Sequence, residues 1–166
     1  MDINSLMMQL SLTQFQLYAL SFLLGSFVVA TWSDLKHMSA QREFLEIWLM
    51  IAFVLFAYDA YLIKETGDYI PIILKWAIIF ISAFISHKNI GIYFHLATGD
   101  VIACMAAAAI LPAGLAFVFF FILKPIDMML KPVLKITGSK RGYPFMPVIL
   151  VSILAVIGFA VWVTKI

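Results

Sequence analysis

The sequence predicts an all-α membrane protein with six transmembrane helices and both termini extracytoplasmic. Three observations carry that expectation. Of 166 residues, 64% are hydrophobic and 12% charged, and the mean hydropathy is +1.06, more apolar surface than a water-soluble domain could hide. Several apolar runs approach the roughly 20 residues that a spanning helix needs, without the short alternation of barrel strands. The basic residues fall in alternate loops.

The first span is 15–32, preceded by a segment with one charge, Asp2, and no basic stretch of the secretory kind, so it reads as a retained helix. A polar stretch beginning Ser33-Asp34-Leu35-Lys36-His37 follows. The second span, 44–63, ends at the turn Lys64-Glu65-Thr66-Gly67-Asp68. The third, 70–86, gives way to His87-Lys88-Asn89, and the fourth, 92–111, stops at Pro112-Ala113-Gly114. The fifth, 115–126, loses its apolar character into a segment where Lys124, Lys131, Lys135, Lys140 and Arg141 alternate with apolar residues. That pattern predicts a stretch lying along the membrane surface, with the later basic residues on anionic lipid headgroups. The sixth is 145–163. The whole chain, 1–166, reads as one domain with no internal repeat.

Loops one, three and five hold Lys36, Arg42, Lys88, Lys124, Lys131, Lys135, Lys140 and Arg141, against Lys64 and Lys165 on the other side. The positive-inside rule therefore places the odd loops in the cytoplasm. A net charge of +2 gives no indication of a nucleic-acid partner, and the single Cys104 excludes an internal disulfide and a cysteine-based zinc site.

Asp100 follows Gly99 at the head of an Ala-rich run, Ala106 to Ala109, a thin face suited to close helix packing. A carboxylate within a span ordinarily faces a polar cavity or a partner. Counted from Ile92, Asp100 lies roughly 12 Å deep; if 92–97 is irregular it rises level with Asp34. Asp59, about 7 Å below the outer interface, matches Lys75 in depth, and the two are expected to pair across the outer hairpin. His37, His87 and His95 lack metal-ligand spacing. His95 is notable for its closeness to Asp100 in sequence.

Three segments, in order, resemble the type IV prepilin peptidases, most closely the compact archaeal preflagellin (prearchaellin) peptidases. Ser33-Asp34-Leu35-Lys36 resembles the first aspartate motif, Ala97-Thr98-Gly99-Asp100 the Gly-x-Gly-Asp motif, and Tyr143-Pro144-Phe145-Met146-Pro147 the Pro-Phe-x-Pro segment opening the last span. Two departures stand out: Ala97 replaces the first motif glycine, and His37-Met38-Ser39-Ala40 replaces the usual turn after the first aspartate. The resemblance covers nearly the whole chain.

What the resemblance implies is a membrane aspartyl endopeptidase in the cell membrane, with its active site on the cytoplasmic face. Its substrates would be type IV prepilin-like or archaellin precursors with short basic leaders. Asp34 and Asp100 would share a proton and activate a water, with no metal or other cofactor. The cysteine-rich insertion of the larger methylating members is missing from this sequence, so no methyltransferase activity is expected. Gly99, Ala97 and Phe145 would shape the site. Pro144 and Pro147 break the entry to the last span and either leave backbone groups free for substrate or only mark a helix start. From charge alone, Glu43, Glu46 and Asp127 are expected to attract the basic leader. Two other readings remain open: a presenilin-like intramembrane protease using Tyr58-Asp59 with Asp100, and a non-enzymatic transporter or assembly subunit with Asp100 as a proton site.

Overall fold

The computed structural model describes residues 9–37, 42–67, 69–137 and 144–164. Tyr143, Lys140 and Arg141, the stretch 38–40 and the side chain of His37 lie outside the described residues. Among those described are six helices: α1 Gln14–His37, α2 Arg42–Thr66, α3 Tyr69–Ser86, α4 Thr98–Ile110, α5 Ala113–Thr137 and α6 Met146–Val163. All but α4 are long and apolar enough to cross a membrane, so this is a multi-pass membrane protein.

Periodicity explains how the helices face one another. In α1 the buried positions are Leu20, Leu23, Phe27, Ala30 and Asp34, spaced by threes and fours on one face. Asp34 therefore closes an apolar stripe and is aimed inward by the helix itself. A reciprocal cap starts α1: the Thr13 backbone N–H donates to Gln16 Oε1 at 3.0 Å, and the Gln16 N–H donates to Thr13 Oγ1 at 3.2 Å. On α2, Trp48 meets Phe27 edge-on at 4.8 Å and donates its indole N–H to Ser26 Oγ at 3.0 Å.

The short helix α4 is the hub and packs against all five others. Ala106, Ala107, Ala108 and Ala109 are buried, and their small side chains let the longer helices come close around it. Its 13 residues rise only about 20 Å, less than a membrane core.

Two boundaries differ from the sequence expectation. The fourth helix begins at Thr98, not Ile92, because 87–97 folds back on the end of α3. The Leu96 N–H donates to the Ser86 carbonyl and the Lys88 N–H to the Leu96 carbonyl, each at 2.9 Å, while the Tyr93 N–H donates to the Ile85 carbonyl at 3.1 Å. Gly91 makes the reversal at φ +61, and a Cβ there would lie 2.3 Å from the His95 ring. The fifth helix does not give way to a separate surface segment but runs unbroken to Thr137 through Pro125 and Pro132. Lys124, Asp127 and Lys131 of this helix share one face, which is turned toward a polar cavity.

Candidate functional site

Asp34 and Asp100 are brought together by their helices. Asp34 is 7% exposed, in the last turn of α1, and its Oδ2 accepts the backbone N–H of Met146 at 3.1 Å. The Phe145 N–H also faces this carboxylate. Phe145 and Met146 begin α6, where N–H groups have no partner within the helix, and Phe145 supplies no side-chain cap. Asp34 thus caps α6 from a distance of 112 residues in sequence. Pro147, at the second helical position, has no N–H to satisfy.

Asp100 occupies the first turn of α4 and reaches back to the backbone N–H of Ala97. It is half-buried, on a helix packed against α1, and feels the charge of Asp34. Each carboxyl is therefore seated at the N-terminus of a different helix. These N–H groups offset only part of the cost of charge on two carboxyls that are removed from water and repel each other.

A cavity of about 280 Å³ opens beside Asp100. Its wall is formed by 93–96, Phe145, and Lys124, Asp127 and Lys131 of α5. The aromatic rings of Phe94 and Phe145 meet at 5.5 Å and 68°. Such a site can hold a polar chain segment against one carboxyl of a close pair.

The remaining expected site residues divide. Phe145 is in the cavity wall, and Pro144 and Pro147 are buried beside it in sequence. At this corner the Met146 N–H is taken up by Asp34. Ala97 is exposed in ordinary extended backbone, φ −65 and ψ 156, so alanine is unstrained there. The close neighbour of Gly99 is Leu45 of α2, whose Cδ2 would lie 3.1 Å from an added Cβ. Glu43 and Glu46 are exposed on α2 and absent from the cavity wall, and Glu46 pairs with Arg42 at 2.9 Å. Asp127 is 3% exposed, so it is a wall residue and not a rim acid. Lys131, expected on lipid headgroups, lines the same cavity.

Asp59 is held elsewhere. It accepts Lys75 Nζ at 2.7 Å and Trp76 Nε1 at 2.8 Å, the expected ion pair with an indole added. His95 is exposed and lines the cavity, whereas His87 Nε2 lies 3.3 Å from Thr98 Oγ1 at the start of α4. Among the described residues, no three His, Cys, Asp or Glu side chains gather as a metal site. Sequence reasoning missed the part played by Tyr93, Phe94 and Lys124. The spacing of Lys124, Asp127 and Lys131, three and then four residues, was the available signal for a polar helix face.

No family model, no curated protein and no solved structure matches this chain.

Proposed function

We propose that this protein is a membrane aspartyl endopeptidase that removes short basic leaders from type IV prepilin-like or archaellin precursors. The observation that carries the reading is the convergence of Asp34 and Asp100, from two separate motifs on two packed helices, beside a polar cavity. In this reading the chain crosses the cell membrane six times with its termini outside. The Asp34–Asp100 pair then lies toward the cytoplasmic face, where a basic leader remains.

The chemistry follows from the pair. Two close carboxyls share one proton. The ionised partner takes a proton from a water held between them, and that water attacks the scissile carbonyl. The protonated partner donates to the carbonyl oxygen. The two titrate jointly, so the roles belong to the pair and not to one residue. The test is purified protein in liposomes with a precursor carrying a basic leader, the products read by mass spectrometry. A single cut between leader and apolar helix supports the proposal; an intact precursor with folded protein opposes it.

A second reading, a proton-binding transporter or assembly subunit, draws on one observation: Asp100 lines the cavity wall and Asp34 does not. It requires Asp100 to be essential and Asp34 to be dispensable.

A further inference from the structure

The cavity wall contains a cation, Lys124, that contacts the segment leading into the site. Lys124 Nζ donates to the Tyr93 carbonyl at 2.9 Å. It also sits 4.6 Å from the centre of the Phe94 ring and 5.7 Å from that of Tyr93. One turn earlier on α5, the Phe120 carbonyl accepts the Tyr93 hydroxyl at 3.1 Å. α5 therefore grips this segment twice, by its backbone and by its rings.

Both aspartates depend on what is gripped. The chain runs from Tyr93 and Phe94 directly into Ala97 and Asp100. In the other direction, Phe94 packs edge-on against Phe145, and the Phe145 and Met146 N–H groups seat Asp34. We propose that Lys124 is a positioning residue for the aspartate pair. It fixes the 93–97 segment under Asp100 and, through the Phe94–Phe145 contact, the corner that holds Asp34.

The side-chain chemistry fits this role. A lysine serving only to reach lipid headgroups would extend its ammonium outward. Here the ammonium is turned onto a backbone carbonyl and an aromatic face, an arrangement that needs a cation and is lost in a neutral chain of similar bulk. The Lys124 ammonium is engaged by the Tyr93 carbonyl and the two rings, so its effect on the carboxyls is through alignment. A misplacement of about 1 Å in a reacting group can cost on the order of 100-fold in rate.

The cleavage part of the test rests on the peptidase reading; a second readout does not. Leader cleavage is measured for wild type, Lys124→Met and Lys124→Arg. In parallel, Asp34→Cys and Asp100→Cys are combined with Cys104→Ala, and the two thiols are joined by a short bifunctional cross-linker in each Lys124 background. The expected result is a kcat about 100-fold lower in Lys124→Met with KM little changed, and substantial recovery in Lys124→Arg. Cross-linking should fall several-fold with methionine and return with arginine. Unchanged kcat and cross-linking in folded Lys124→Met overturn the proposal, as does a kcat loss with full cross-linking. Wild type that cleaves no precursor, together with the cross-linking pattern just described, supports the positioning role and removes the peptidase reading. Should Lys124→Met not fold, Lys124→Gln replaces it, since it keeps a donor for the Tyr93 carbonyl but carries no charge for the Phe94 ring; cross-linking as efficient as with Lys124 in that variant overturns the proposal.

Discussion

Asp34 Oδ2 accepts the Met146 backbone N–H at 3.1 Å, which fastens the end of the first helix to the start of the last. This bond gives Asp34 a structural task beside any chemical one, and substitutions can separate the two. Asp34→Asn keeps an acceptor for that N–H, so its thermal stability should stay close to wild type. Asp34→Ala leaves a buried donor without a partner and should cost about 1–3 kcal/mol. Unfolding in detergent compares them. Equal losses in both variants would show that the bond does not hold α6.

The Asp59–Lys75 pair is a separate device. Its side chains are 12% and 11% exposed, and Trp76 Nε1 completes the arrangement. Removing one partner strands the other charge, at a cost of about 3–5 kcal/mol for a buried pair. Asp59→Asn and Lys75→Met should each destabilise by that order, and the double variant should recover much of it. A double variant as unstable as the sum of the singles would contradict pairing.

Glycine substitutions should rank by what they meet. A Cβ on Gly114 would lie 2.7 Å from the Gln9 carbonyl oxygen, a backbone atom that cannot step aside cheaply. On Gly99 it would meet Leu45 Cδ2 at 3.1 Å, the end of a flexible side chain, and on Gly25 and Gly158 nothing within 4 Å. Of these four, Gly114→Ala should therefore be the most damaging, with a loss of about 1–3 kcal/mol. Gly99→Ala should be milder and rescued by Leu45→Ala. Gly25→Ala and Gly158→Ala should gain up to about 1 kcal/mol from helix propensity. Melting temperatures in one detergent settle the order.

Local pattern made much of this legible in the sequence. Apolar runs located the long helices, and depth counting matched Asp59 with Lys75. The inward aim of Asp34 was also present, as the last position of the stripe from Leu20 through Leu23, Phe27 and Ala30, although its place at a span end suggests an interfacial acid. Two things were not legible. The contact between Asp34 and Met146 spans 112 residues and depends on how α1 and α6 pack, which no local pattern encodes. The cavity face of α5 was hidden because Pro125, Pro132 and scattered lysines mimic a helix that has ended. Proline disfavours a helix interior, yet packing carried α5 past both.

If Asp34 and Asp100 act together, leader cleavage depends on both. A prepilin-like or archaellin precursor is co-expressed with wild type, Asp34→Asn, Asp59→Asn or Asp100→Asn, each checked for folded protein. Wild type and Asp59→Asn should process the precursor, and Asp34→Asn and Asp100→Asn should not. Processing that survives Asp34→Asn but not Asp100→Asn, or that is lost with Asp59→Asn and retained with Asp34→Asn, would contradict their joint action.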